Sequence, residues 1–163
     1  MDEGFETLTL MQTGKARIMP LILVDKPEGE YWNTWKLFFT GHLLRLGLVN
    51  ADDENLFRIT TDVDVAIQEI EQFYRNFHSY RWVGNRMVIR IKKQITEKAL
   101  RALSKEFDDI LLRGKIRHSN ALRAERNEPE LAELPRLILT PHRHNFGRIR
   151  LLIDGINCAE TVE

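Results

Sequence analysis

The stretch MDEGFETLTLMQTGKARIMPLILVD (residues 1–25) decides how the fold is read. Asp2, Glu3 and Glu6 accompany an apolar series at Phe5, Leu8 and Met11, which is the acidic first turn and stripe of an amphipathic helix. Gly14 ends that helix, and MPLILVD is a short apolar run expected to form a buried strand. A helix feeding such a strand is the second half of a βαβ unit, in which a preceding parallel strand lies beside MPLILVD. The stretch therefore reads as the interior of a parallel α/β arrangement.

Further along, DKPEGE is a turn-rich connection. Trp32, Trp35, Phe39, Leu43 and Leu46 then follow helical spacing up to Gly47, predicting a helix over 31–47. A short strand is expected at LFRIT, and a helix over 63–77 through Val63, Ile67, Ile70, Phe73 and Phe77. The order α, β, α, β, α implies a parallel sheet with two strands encoded here, and such sheets need both faces covered.

The pattern changes near HSYRWVGN. RMVIRIKK reads as a strand with Arg and Lys outward and Val88 or Ile89 and Ile91 inward. Thr96 is a cap candidate for a long amphipathic helix. GKIRHSNAL and PRLILTPHR read as strands flanking a charged loop over 123–135, and NFGRIRLLIDGIN as a closing helix. The expected fold class is α/β: a parallel-sheet part (residues 1–78) with an appended small antiparallel α+β extension (79–163), the first part being, as the resemblance given below implies, the C-terminal half of a Rossmann-like sheet. HSYRWVGN is short and aromatic, unlike a flexible spacer, so the two parts are expected to form one continuous body.

Composition sets the outer bounds. The 163 residues are 43% hydrophobic and 29% charged, enough for an ordinary core. Lys+Arg and Asp+Glu both number 24, so no global field recruits nucleic acid or an acidic membrane. The single Cys158 makes no internal disulfide, and no apolar run approaches membrane length, features that fit a reducing cytosol.

MDEGFETLTLMQTGK, followed by PLILVD and by the glycine and aromatics of PEGEYW, resembles the Lonely Guy (LOG) family, Rossmann-like phosphoribohydrolases sometimes labelled lysine decarboxylases. In that family the helix matching residues 2–13 follows a strand and a turn of pattern P-G-G-x-G-T-x-x-E, whose final Glu falls on Glu3. The run FYRNFHSYRWVGNRMVIRIKK and the end LPRLILT…NFGRIRLLIDGIN look like the C-terminal extension of longer members. The resemblance thus implies that these residues are the C-terminal part of a longer protein, without the glycine turn that cradles a phosphate and without the upstream Arg that works with the motif Glu. It also implies hydrolysis of the N-glycosidic bond of a nucleoside 5′-monophosphate, AMP or a cytokinin ribotide, to free base and ribose 5-phosphate. Glu3 is the implied catalytic residue, stabilising positive charge on the ribose or activating water. That water attack needs no cofactor. No lysine stands in a context that argues for a pyridoxal Schiff base.

Taken alone, Glu3 is equally a first-turn helix acid. Thr7, Thr9 and Gln12 are either nucleotide- or dimer-lining groups or solvated side chains. His142 and His144, with His118 on a neighbouring strand, offer metal-ligand geometry or are strand-end surface residues, and no metal is assigned. Arg148, Arg150, Arg86, Arg90, Lys92 and Lys93 form a basic patch or the polar faces of a strand and a helix. The apolar surface of helix 31–47 exceeds what two strands can cover, so a homodimer or higher oligomer is expected. The alternative to an enzyme is a non-catalytic nucleotide-binding or oligomerisation module.

Overall fold

In the computed structural model, which describes residues 2–162, two compact units are present. The first comprises the chain up to Phe73 together with Arg143–Leu151; the second comprises Tyr74–His142 and the chain from Leu152. The mixed α/β class expected from the sequence is present: a parallel two-stranded sheet in the first unit, and a separate four-stranded antiparallel sheet in the second.

The first unit runs α1 (Asp2–Gln12), β1 (Leu21–Val24), α2 (Tyr31–Phe38), β2 (Phe57–Thr60) and α3 (Val63–Phe73). Strands β1 and β2 pair in parallel, Leu21 opposite Phe57 through Val24 opposite Thr60. Leu8 and Met11 of α1, Leu23, Trp35, Phe39, Leu56 and Phe57 form the core. Gly14 has φ +69°, and an added Cβ would stand 2.2 Å from the Phe146 ring, so only glycine fits this helix stop.

Two helices differ from their sequence expectation. The helix expected over 31–47 is α-helical only to Phe38 and widens into a π-helical turn over Phe39–Leu44. The Thr40 hydroxyl donates to the Lys36 carbonyl at 3.0 Å and Gly41 follows, two local features that loosen the i→i−4 ladder. Helix α3 stops at Phe73, not 77, and buries Ala66 and Phe73 while Val63, Ile67 and Ile70 are exposed. Its start is set by Asp62, whose Oδ1 accepts from the N–H groups of Asp64 (2.8 Å) and Val65 (3.3 Å).

The second unit contains β3 (Phe77–Val83), β4 (Arg86–Ile91), α4 (Glu97–Glu106), β5 (Leu111–Ser119) and β6 (Arg136–Pro141), in sheet order β3-β4-β6-β5. The closing helix α5 (Phe146–Cys158) gives its residues through Leu151 to the first unit and the remainder to the second. Thr96 caps α4 as expected, its hydroxyl accepting from Ala99 N–H at 3.2 Å. Strand β3 has no counterpart in the sequence reading. A register shift between Phe77 and Ser79 places the buried Phe77 and Tyr80 three residues apart, which breaks the period-two signal.

Strand β4 is the larger correction. From Met87 to Ile91 every residue is buried, Arg90 included, although Arg90 was expected outward. Val88 and Arg90 lie on a sheet face covered by the 122–136 segment. Arg90 donates through Nε (2.9 Å) and Nη2 (2.6 Å) to Glu125 Oε1, and Nη2 also reaches Glu128. Arg136 Nε lies 3.5 Å from Glu125 Oε2, and its other nitrogens donate to the carbonyls of Leu131 and Ala132. The charged loop is thus pinned to the sheet by buried ion pairs.

Burial alone would raise the Glu125 pKa. The Leu122 N–H, the Arg90 hydrogen bonds and the positive charges of Arg136 and Arg90 outweigh it and hold the carboxyl below its usual 4.5. A depressed folded-state pKa adds stability that is present above the unfolded value and lost as pH falls through the folded one. Glu125→Ala leaves two buried arginines without their carboxylate and is expected to cost about 3–5 kcal/mol. Urea unfolding at pH 7 measures this, and the difference from the parent should shrink as pH falls below 4.5.

Candidate functional site

Glu3 lies exposed in the first turn of α1, beside Asp2. A Cβ added at Gly4 would meet nothing within 4 Å, so the surface next to Glu3 is open. Two residues on, Phe5 packs against Trp35 (centroids 5.5 Å) and Phe38 (6.4 Å, edge-on). Phe5, Glu30, Tyr31, Thr34, Trp35 and Phe38 line an apolar groove of about 560 Å³. The groove therefore brings the start of α1 next to the start of α2, just past the carboxyl end of β1. In parallel α/β folds this is the end of the sheet where ligands bind.

The loop between β1 and α2 is tightly organised. Asp25 ends the strand and accepts from the N–H groups of Lys26 (3.0 Å, Oδ1) and Trp32 (3.2 Å, Oδ2). Gly29 packs so closely on Asp25 that an added Cβ would lie 2.2 Å from Oδ1. Glu28 adopts φ +60°, the left-handed region that side chains rarely occupy. The sequence carried one signal of this loop, its Pro-Glu-Gly turn.

At the other end of α1, Gln12 is half-buried. Its amide donates to Asp53 Oδ2 at 2.6 Å, and the Asn50 N–H donates to the same oxygen at 2.8 Å. Asp53 is buried, and its Oδ1 has no partner. Burial pushes the Asp53 carboxyl above its usual 3.8, against the lowering effect of the Asn50 and Gln12 hydrogen bonds. The spacing Asn50…Asp53, a capping pattern inside NADDEN, was the signal available for this contact. Thr7 is half-buried and Thr9 exposed.

The histidines do not converge. His118 Nδ1 lies 3.1 Å from Glu97 Oε1, and among the described residues no group of three His, Cys, Asp or Glu side chains is arranged to hold a metal ion. Of the two readings of the basic residues, a patch or the polar faces of a strand and a helix, the patch is broken up at two of its members. Arg90 is consumed by Glu125 and Glu128, and Arg150 pairs with Glu69 at 2.7 Å while stacking over Phe73 at 4.8 Å.

With this geometry in place, the comparisons with known proteins bear on the first unit. Residues 1–70 match the model of the family described as "possible lysine decarboxylase", the family of the LOG proteins. Residues 1–70 are thus similar to that family, over a little under half of the chain. The curated proteins and the solved structures contain no match to the chain. The match covers α1, β1, α2, β2 and most of α3, including Glu3 and the aromatic groove. Among the described residues no helix is long and apolar enough to cross a membrane.

A raised carboxyl pKa means that the folded state binds the proton more tightly, so Asp53 removes stability as pH rises from 3.8 through its folded value. Asp53→Asn, which keeps an oxygen for Asn50 and Gln12, is expected to be at least as stable as the parent at pH 7. Asp53→Ala, which strips both hydrogen bonds, is expected to be less stable by about 1–2 kcal/mol. Thermal unfolding of the three proteins between pH 4 and 8 measures both effects.

Proposed function

We propose that the first unit serves hydrolysis of the N-glycosidic bond of a nucleoside 5′-monophosphate, of the AMP or cytokinin-ribotide kind, giving the free base and ribose 5-phosphate. The observation that carries this reading is the coincidence of the family match with Glu3, an exposed carboxylate on a helix first turn beside the carboxyl end of a parallel strand. As the C1′–N bond lengthens, positive charge develops on the ribose. A carboxylate held beside it lowers the barrier electrostatically or takes a proton from the attacking water. The proton balance closes with water adding to C1′ and the base leaving protonated. The reaction needs no cofactor, and cytoplasmic residence suits such a substrate.

The 163 residues contain no P-G-G-x-G-T turn. In the reading proposed here that turn supplies the phosphate cradle, and Glu3 alone is one component of a site. Adenine release from AMP should therefore be weak for the 163-residue chain. It should appear when the strand and glycine turn of a LOG-family relative are joined ahead of Met1. Glu3→Gln in that longer protein is expected to lower kcat roughly a hundredfold to a thousandfold. An unchanged rate in Glu3→Gln would overturn the assignment of Glu3, and equal rates for the short and long chains would overturn the role given to the turn.

A second reading rests on the apolar surface. Tyr31 (51% exposed), Leu37 (71%) and Phe38 (46%) flank the groove that begins at Phe5. A patch of this kind on a LOG-type unit suits a homodimer contact. Sedimentation equilibrium at micromolar concentration should give at least twice the chain mass, and Phe38→Glu should shift it toward the monomer. A sharp monomer mass for the parent would remove this reading.

A further inference from the structure

Six arginines share one face of the antiparallel sheet in the second unit. Directly paired residues point to the same face, so the pairs Arg81↔Val88, Arg90↔Arg136, Val88↔Ile138, Arg117↔Ile138 and Arg113↔Thr140 place Arg81, Arg90, Arg136, Arg117 and Arg113 together. Val83↔Arg86 adds Arg86. The two ends of this face are treated differently. At one end, Arg81, Arg90 and Arg136 meet the chain's own carboxylates, Glu125 and Glu128. At the other, Arg86, Arg113 and Arg117 are exposed and form no ion pair with another described residue.

That second end is concave. Arg86, Arg113, Lys115 and Arg117 line a cleft of about 600 Å³ in which no acidic side chain takes part, and Val83 and Ile138 supply apolar floor. Gly114, with φ +78°, lies in the irregular stretch of β5 where the register shifts between Arg113 and Arg117, and this irregularity brings Lys115 into the lining. Arg86 stands one position beyond the Met87↔Leu139 pair, hence level with Thr140 and with Arg113 on the far side of β6. Two strand spacings separate the backbones of Arg86 and Arg113, roughly 10 Å. Guanidinium groups reaching inward from both sides can clamp an anion between them, each with paired N–H donors suited to phosphate oxygens.

We infer that this cleft is a binding site for a small molecule bearing a chain of two or three phosphates. Four cations with no internal counter-charge favour a multiply charged anion over a monophosphate. The cleft's volume is that of a small-ligand site. The balanced charge of the whole chain supplies no extended basic surface of the kind that a nucleic acid follows. The shared chemistry is the oligophosphate group, carried by a nucleoside di- or triphosphate whose ring rests on Val83 and Ile138, or by inorganic tripolyphosphate.

The test is calorimetric titration of the full chain, in magnesium-free buffer, with ATP, tripolyphosphate, AMP and a ten-residue oligouridylate. ATP or tripolyphosphate should bind at least tenfold more tightly than AMP. ATP binding tighter than tripolyphosphate identifies the nucleotide as the ligand; equal or weaker binding identifies the bare oligophosphate. Arg113→Gln/Arg117→Gln should weaken that binding at least tenfold, as should Arg86→Gln, which lies on a different strand. Glu3→Gln should leave it unchanged, and so should Arg101→Gln on the exposed face of α4. AMP binding as tightly as ATP, oligouridylate binding more tightly than either oligophosphate ligand, or affinity indifferent to both arginine variants would each overturn the proposal.

Discussion

A parallel pair of four-residue strands has no hairpin to fix its register and too few ladder bonds to hold itself together, so its faces must be covered before it is stable. In the first unit Trp35 does most of this. Its ring is 2% exposed and meets Phe57 edge-on at 4.9 Å, Phe39 at 5.5 Å and Phe5 at 5.5 Å. Those partners come from β2, the π-helical turn and α1, so one side chain joins three elements. The indole N–H is buried without an acceptor. Burial of apolar area outweighs that unmade hydrogen bond, which costs on the order of 1–3 kcal/mol against several large rings removed from water.

The second unit solves the same problem with charge as well as hydrocarbon. One face of its sheet carries six arginines, which would repel one another across neighbouring strands if left unanswered. Glu125 and Glu128 answer three of them and in doing so hold the 122–136 segment over the sheet. This is also why the segment, rich in charge and read as a loop, contains short 3₁₀ turns and a buried glutamate. Ionic geometry at one end of the face leaves the other end with an unbalanced positive cleft.

These two solutions explain which parts of the fold were legible in the sequence. The early elements were readable because Leu8, Met11, Leu23, Trp35 and Phe39 keep their periodicities and are buried by hydrocarbon alone, although the LILV run, expected buried throughout, buries only Leu23 and leaves Val24 exposed. The same period misled at α3, where Val63, Ile67 and Ile70 follow helical spacing yet stay exposed. Arg90 was unreadable for a different reason. An arginine in an alternating strand looks solvent-facing, and only the position of Glu125, 35 residues later in sequence, makes its burial tolerable. Strand β3 was hidden by its bulge. Glu3 was singled out only through resemblance, since an acid in a first turn reads by itself as an ordinary helix acid. Gln12 and Asp53 needed the tertiary fold to meet.

The contact between Gln12 and Asp53 bears on Glu3 through α1 itself. Gln12 is nine residues beyond Glu3, about 14 Å along a helix that rises 1.5 Å per residue. The far end is fixed three times over: Met11 is fully buried, Gln12 bonds the buried Asp53, and Gly14 turns the chain hard against Phe146. Toward the near end, Phe5 rests on Trp35 and Phe38, and the carboxylates of Asp2 and Glu3 project beyond it into solvent. A rigid helix held this way converts core packing into placement of an acid at its tip, the arrangement by which an exposed group can still be precise. In the role proposed for Glu3, its placement would therefore rest on residues away from any substrate, with the aromatic cluster around Trp35 supporting both the parallel pair and the start of α1.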